Sequence, residues 1–305
     1  MRQQVLRVTC LAAAACLAAP LAAQQLPLYD PALARLSEEA EAFQRLAPKI
    51  IGSETLHHKG RQGAPRVKWF SKSNAPAVSY RTTDIVSEYG FGFFNEAPDS
   101  IREFRQVVSV DGRARAAAVV RDARQVLAEN MASDDDRLRR RLLEDFERYG
   151  QTGSATDFGQ MLLLFRRRSL PQYTFERMRT AQLGDETVEV VQWRQGRGAV
   201  PLYVYSNRRL ERLTMQGEIW LRQRDHLPMR ITMHSSLEED GAPVTFAAEI
   251  DYKPSRYGLL LPSALHFEKR SGGLVLIDNR SEYSGYQMFG ADSAISFEVE
   301  EESKP

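Results

Sequence analysis

The sequence predicts an α+β fold in which helices accompany an antiparallel β-meander. Residues 31–47 and 113–168 repeat apolar side chains at intervals of three and four, which is the period of an amphipathic helix. After Pro171 the chain changes to short β-rich runs separated by turn residues such as Gly184-Asp185. Consecutive strands joined by tight turns pair antiparallel, so the second half is predicted to form a sheet of this kind.

Residues Met1 to Ala23 have the three parts of a cleavable secretory signal. Arg2 and Arg7 form a short positive segment, an apolar run follows, and small residues precede Gln24. The apolar run is shorter than the roughly 18 residues that span a bilayer, so no transmembrane segment is expected in the mature chain. We therefore expect a periplasmic or secreted protein that begins near Gln24.

Both cysteines of the chain, Cys10 and Cys16, lie within this signal. The mature protein is therefore expected to contain neither a disulfide nor a thiolate metal site. The run Ala13-Ala14-Ala15-Cys16 loosely resembles a lipobox, which would place a lipid anchor on Cys16. The leucine-like residue usual at its first position is absent, so cleavage before Gln24 is favoured over lipidation.

After the signal, residues 24–305 are predicted to form a single α+β domain. Asp30-Pro31 supplies an N-cap followed by proline at the first helical position, which opens the helix predicted over residues 31–47. Residues Gly52 to Asn74 are polar and contain glycine. This stretch is predicted to be a loop with one edge strand at Val67 to Phe70.

Between residues 81 and 168 the predicted structure changes once from strand to helix. Residues from about 81 to 110 are predicted to form strands, because β-branched and aromatic residues dominate there. The segment 113–168 is predicted to be helical. Within it, a cap at Thr156-Asp157 opens a short helix that runs through Phe165.

The meander is predicted over residues 172–300. Its eight strands are expected at residues 172–182, 186–194, 200–206, 214–222, 228–237, 243–253, 262–270 and 274–284. Alternation is clearest in the sixth strand, where Val244, Phe246 and Ile250 are separated by polar residues that include Thr245. One face of the sheet is thus predicted to be apolar and covered, and the other to face solvent.

Composition and motifs argue against several function classes. The formal net charge of +1 provides no field that would attract nucleic acid. His57 and His58 point to opposite faces if extended, and the other three histidines, at positions 226, 234 and 266, are isolated in sequence. Neither a metal site nor a cofactor is therefore expected. No catalytic motif such as GxSxG is present, so an enzyme is not expected.

Several short motifs in the second half carry a resemblance to a known family. They are Gly217-Glu218-Ile219-Trp220-Leu221, Asp225 to Leu227, Pro228-Met229-Arg230-Ile231, Ile250-Asp251-Tyr252 and Leu260-Leu261-Pro262. These motifs resemble periplasmic lipoprotein-carrier domains of the Lol type, in which a strand with Trp is followed by a turn and a strand that begins near Pro and Arg. A later strand of that family ends in a polar-aromatic pair before Leu-Pro.

A second resemblance, to a group of uncharacterised exported bacterial proteins, is carried by motifs in the first half and implies no function. These motifs are Ile85-Val86-Ser87-Glu88-Tyr89, Val108-Ser109-Val110-Asp111-Gly112-Arg113 and Asp145-Phe146-Glu147-Arg148-Tyr149-Gly150.

The resemblance to carrier domains implies a curved antiparallel β-sheet, a half-barrel-like meander with helices packed on one face. Its concave apolar side would accommodate acyl chains. The ligand-binding residues expected from the alternation are Ile219, Leu221, Met229, Ile231, Met233, Phe246 and Phe267. The same alternation is needed for a filled core, so it does not by itself distinguish a cavity from a core.

Three functions follow from these observations. The first is a periplasmic binding or carrier protein for a lipid, a lipoprotein or another apolar ligand, with an acyl chain as the partner. The second is a non-catalytic interaction or structural protein of the envelope, with an envelope protein as the partner. The third is a hydrolase whose site forms only in the fold. An open cavity favours the first, a filled core the second, and a cleft with titratable groups the third.

Overall fold

The computed structural model describes residues 24–62, 78–95, 97–115, 123–150, 157–196, 202–206, 209–239 and 242–289. Within these ranges the predicted α+β class is confirmed, because helices pack against one curved antiparallel sheet. None of the helices in these ranges is long and apolar enough to span a membrane. The predicted signal peptide and the end of the predicted meander, after residue 289, lie outside the described residues.

The helices lie in the two regions where the sequence predicts them. Helix α1 (Pro31–Leu46) is capped by Asp30, whose carboxylate accepts a hydrogen bond of 2.8 Å from the backbone N–H of Ala32. The second region contains α2 (Ala123–Ala132), α3 (Asp136–Gly150) and a 3-10 helix over Phe158–Phe165. We call this 3-10 helix the cover segment. Short 3-10 turns lie at Ala47–Lys49 and Leu170–Gln172.

The strands, in chain order, are β1 (Gln24–Gln25), β2 (Ile50–Arg61), β3 (Tyr80–Phe94), β4 (Ala97–Val110), β5 (Arg113–Ala114), β6 (Tyr173–Leu183), β7 (Glu186–Gln195), β8 (Leu202–Ser206), β9 (Arg209–Leu213), β10 (Gln216–Arg222), β11 (Pro228–Glu239), β12 (Ala242–Pro254), β13 (Leu260–Ser271) and β14 (Leu274–Met288). Twelve of them form one sheet in the order β1-β6-β7-β10-β11-β12-β13-β14-β2-β3-β4-β5. Strands β8 and β9 form a separate hairpin.

The meander predicted after Pro171 is present, with strand limits close to those predicted. Strands β6, β7 and β10 to β14 follow one another in the sheet, and each pairs antiparallel with its neighbours. Strand β9 is an addition, since residues 209–213 were not assigned to a strand. Strand β5 is another, because Arg113–Ala114 is extended where a helix was predicted.

The predicted loop over Gly52 to Asn74 is wrong for its first part. Strand β2 occupies this position and lies inside the sheet, between β14 and β3. Its polar composition concealed it, because Glu54 and His58 are buried and have hydrogen-bond partners. Strand β2 therefore joins the meander to β3 and β4. The edge strand predicted at Val67 to Phe70 lies outside the described residues.

The face of the sheet that contacts α1 is the inner face. It holds the largest of the apolar clusters among the described residues, in which α1 and the cover segment pack against the sheet. Phe43 of α1 meets Phe91 edge to face, with ring centroids 5.0 Å apart, and Phe158 of the cover segment lies 5.0 Å from Phe267. Helix α1 and the cover segment thus close the inner face.

A smaller layer covers the opposite face at one end of the sheet. Neighbouring residues of a strand point to opposite faces, and Ile50 belongs to the inner cluster whereas Ile51 packs with Phe104 and Met131. Met131 belongs to α2, which lies close against β3. A Cβ atom at Gly90 would be only 2.9 Å from the Met131 sulfur, so glycine permits this approach.

Truncation of Phe246 is expected to destabilise the fold far more than truncation of its neighbour Thr245. Phe246 is 1% exposed on the inner face, whereas Thr245 is exposed on the other face. Phe246→Ala should lower the free energy of unfolding by about 3–5 kcal/mol, because it leaves a cavity. Thr245→Ala should change it by about 0.5 kcal/mol. Urea melts of both variants measure the difference, and equal losses would contradict the face assignment.

Candidate functional site

The seven predicted ligand-binding residues lie together on the inner face of β10 to β13. Six of them are buried, and Met229 is partly buried against the same cluster. Their common orientation follows from the register, which pairs Ile219 with Ile231 and places Phe267 opposite Ala248. The side chains pack against α1 and the cover segment and contribute to one continuous apolar cluster. The prediction therefore located one contiguous surface, and in this structure that surface is covered.

Two concavities on the protein lie elsewhere. One, of about 470 Å³, is lined by the chain around Leu26 and by β6 near Tyr173. The other, of about 370 Å³, lies between α2, α3 and β4, and its lining includes Gln106 and Asp145. Neither is lined by any of the seven predicted residues, so an acyl chain would reach those residues only if the cover moves.

Hydrogen bonds attach the cover segment to the sheet at a few defined points. The backbone N–H of Leu162 donates to the Tyr252 hydroxyl at 3.2 Å, and that hydroxyl donates to the Gly159 carbonyl at 2.9 Å. Burial raises the pKa of Tyr252, so its hydroxyl keeps its proton. The N–H of Gln160 donates to a carboxyl oxygen of Glu103 at 3.1 Å. Packing of apolar side chains supplies the remaining contacts.

The inner face is not apolar throughout. From β6 to β13 its buried side chains are almost all aliphatic or aromatic, but from β14 through β4 polar side chains appear among them. We call this second part the polar half. Its buried polar and aromatic hydroxyl-bearing residues are Glu54, His58, Thr83, Ser87, Tyr89, Glu103, Arg105, Asn279, Ser281 and Tyr283.

An ion-pair cluster lies at the centre of the polar half. The Arg105 Nε donates to Glu54 at 2.5 Å, and its Nη2 donates to Glu54 at 3.1 Å and to Glu103 at 2.8 Å. The guanidinium also lies between two rings, 5.2 Å from the centroid of Tyr89 and 4.9 Å from that of Phe146. Carboxylates and rings together fix the orientation of a cation that is 3% exposed.

Burial raises the pKa values of several groups in this cluster. Loss of solvent raises the pKa of Glu103 to about 8, although the neighbouring Arg105 acts to lower it. Burial likewise raises the pKa values of the Tyr89 and Tyr283 hydroxyls well above the ordinary range. Burial thus disfavours the charged form of Glu103, while its contact with the Arg105 guanidinium is retained.

The two adjacent histidines point to opposite faces, as expected for extended chain. His58 is buried, and its Nδ1 lies 2.6 Å from the Asn279 side-chain oxygen. His57 is exposed, and its Nδ1 lies 2.8 Å from Asp84. His57 thus forms a surface ion pair when protonated, and His58 belongs to the polar half.

His266 is isolated in sequence but not in space. Pairing of β13 with β14 brings it beside Glu268 and Asp278, and one ligand atom from each of the three lies within 4.8 Å of the others. Arg270 and Arg280 approach the same two carboxylates at 2.9 Å and 3.5 Å. These arginines balance the acidic charge, so mutual ion pairing on a partly exposed face accounts for the group.

Comparison with known proteins finds similarity in solved structures. No family model matches the chain, and no curated protein matches it. A LolA superfamily protein from Nitrosomonas europaea is 11% identical over 84% of this chain and 92% of its own, with a TM-score of 0.33. A DUF1329 family protein from Desulfovibrio piger ATCC 29098 is 11% identical over 88% of this chain and 95% of its own, also with a TM-score of 0.33.

Replacement of Glu103 by Gln is expected to flatten the pH dependence of stability. Between its ordinary pKa of 4.5 and about 8, this carboxyl holds a proton in the folded state but not in the unfolded state. The free energy of unfolding should therefore fall as the pH rises through this window, by up to about 1.4 kcal/mol per pH unit. Urea melts from pH 4.5 to 8 should show this slope in the wild type and a smaller one in Glu103→Gln.

The exposed Glu238 on β11 provides the matched control. Glu238→Gln should retain the slope of the wild type. An unchanged slope in Glu103→Gln would show that this carboxyl is already ionised in the folded protein.

Proposed function

We propose that this chain is an exported binding or carrier protein that takes up the acyl chain of a lipid or lipoprotein on its inner face, in the periplasm or outside the cell. The observation that carries the proposal is the continuous apolar surface of β6 to β13, which is closed by two separate elements and not by a second sheet. Export is supported by the signal-like residues Met1 to Ala23.

Uptake of a ligand requires the cover segment to move away from part of this surface. An acyl chain would then replace the rings and aliphatic side chains that Phe158, Leu162 and Phe165 place against the sheet. Each methylene transferred from water contributes about 0.8 kcal/mol, so a chain of about a dozen carbons can offset the loss of those contacts. Met229 and Met233 suit such a surface, because flexible thioethers adapt to chains of different shape.

The second candidate, a ligand-free interaction protein of the envelope, is favoured by a different observation. All seven predicted ligand residues are packed in one cluster with the cover. A core that never opens would explain this packing without any ligand. The two candidates therefore differ in whether the cover segment is displaced during function.

Weakening the attachment of the cover should tighten acyl-chain binding. Tyr252→Phe removes the hydroxyl that holds Leu162 and Gly159, and two buried backbone groups lose their partner. We expect the closed state to lose about 1–3 kcal/mol. If only the open state binds, the apparent Kd for dansyl-undecanoate should fall about 5- to 100-fold relative to the wild type. Fluorescence titration of the purified mature protein measures both values.

Tyr257→Phe is the matched control. Its hydroxyl donates to the Tyr286 carbonyl at 3.2 Å and does not contact the cover segment through a hydrogen bond in the described structure. This variant should bind the probe as the wild type does. If neither the wild type nor Tyr252→Phe binds the probe at micromolar concentration, while both melt as folded proteins, the carrier proposal fails and the ligand-free candidate replaces it.

A further inference from the structure

Six hydrogen-bonding groups of the polar half, on His58, Thr83, Ser87, Tyr89, Arg105 and Tyr283, are buried without a partner among the described residues. Three of them belong to residues at the Glu54–Arg105 ion pair. They are the Arg105 Nη1, the Ser87 Oγ and the Tyr283 hydroxyl. The three residues are 3%, 1% and 7% exposed. A buried polar group that lacks a hydrogen bond destabilises the fold, so three such groups on neighbouring residues call for an explanation in terms of function.

The three residues are neighbours on the inner face. Strand register places Glu54 directly opposite both Ser87 on β3 and Tyr283 on β14, and Glu54 is the carboxylate that holds Arg105. The Tyr283 ring also lies 4.7 Å from the ring of Tyr89, over which Arg105 is stacked. The unpartnered groups are therefore neighbours around a single ion pair.

This point adjoins the apolar surface where the acyl chain is proposed to lie. Ser281, next to Tyr283 on the inner face of β14, is paired with Leu265 of β13, and Asn279 is paired with Phe267. An amphiphile lying across the strands would thus place its chain on β10 to β13 and its polar end on β14, β2 and β3. The inner face thus has an apolar part and a polar part side by side, as an amphiphile has.

We infer that Arg105, Ser87 and Tyr283 form a subsite for the uncharged, oxygen-bearing head group of an amphiphile, such as a glyceryl ester. The inference rests on the proposed function, since the acyl chain brings the head group to the subsite. All three groups can donate a hydrogen bond, and the hydroxyl and carbonyl oxygens of an ester head accept them.

The charges around the subsite favour a neutral head group over a charged one. Arg105 is already paired with Glu54 through two hydrogen bonds and with Glu103 through a third, and burial raises the pKa of Glu103, which disfavours its charged form. An anionic head would face the Glu54 carboxylate, and a cationic head would face the Arg105 guanidinium. Because the site contains little solvent, either repulsion is weakly screened. A neutral head group has no such repulsion and accepts hydrogen bonds from the three donors.

Three amphiphiles with the same twelve-carbon acyl or alkyl length test the head-group preference. They are monolaurin, laurate and dodecyltrimethylammonium, each used below its critical micelle concentration to displace dansyl-undecanoate from the full mature protein at pH 7. We expect monolaurin to bind at least about tenfold more tightly than the other two, since one additional satisfied hydrogen bond of about 1.4 kcal/mol gives this ratio.

Variants identify the groups responsible. Ser87→Ala and Tyr283→Phe each remove an unpartnered hydroxyl without changing a charge, so both should fold normally and melt no lower than the wild type. Combined, they should weaken monolaurin binding about tenfold and leave laurate binding unchanged. Ser284→Ala, at the exposed neighbour of Tyr283 on β14, should change neither.

The outcomes separate this inference from the function on which it rests. If all three amphiphiles bind equally, or if the double variant binds monolaurin as tightly as the wild type, the subsite is wrong although the protein binds acyl chains. A preference for laurate or for dodecyltrimethylammonium also overturns it. If none of the three binds to the folded protein, the proposed function fails, and the subsite fails with it.

Discussion

Burial of the apolar inner face is the constraint on which the arrangement of the other elements depends. An open sheet cannot cover such a face by itself, because its first and last strands, β1 and β5, do not meet. Helix α1 and the cover segment supply the missing layer, and their aromatic side chains fill the curve of the sheet. A surface of this size cannot remain exposed to water, so any opening must supply another apolar partner. Closed packing and ligand binding are competing uses of the same side chains.

The polar half imposes a second requirement on the fold. A buried cation is costly unless carboxylates and rings surround it, and Arg105 obtains them from β2, β3, β4 and α3. Glu54 and Arg105 lie on strands that are distant in sequence, so the ion pair forms only when β2, β3 and β4 are paired in the sheet. The position of β2 inside the sheet, between β14 and β3, and the charge of Glu54 are therefore aspects of one arrangement.

Alternation of apolar and polar residues was sufficient to predict the meander and the orientation of residues such as Phe246, because one side of those strands is uniformly apolar. It failed for β2, where the inward positions carry Glu54 and His58 and a buried strand has the composition of a loop. Buried and exposed residues alternate there also, since Glu54, Leu56 and His58 all point inward. The strand could have been recognised if charged and polar side chains had been accepted at buried positions. Arg105 could not have been paired with Glu54 from sequence, since register between distant strands decides which charges meet. The packing of the predicted ligand surface beneath the cover was likewise a property of tertiary structure.

At Gly159 the cover segment is in close contact with the polar half. A Cβ atom there would lie 2.7 Å from the Tyr89 hydroxyl oxygen and 3.0 Å from Glu103 Oε1, so even a methyl group has no room. The neighbouring Gln160 donates its backbone N–H to Glu103, so the fit of the cover segment at this point depends on the absence of a side chain at Gly159. A side chain at this position would therefore require Tyr89 or Glu103 to move. Among relatives that close in the same way, glycine is expected at this position.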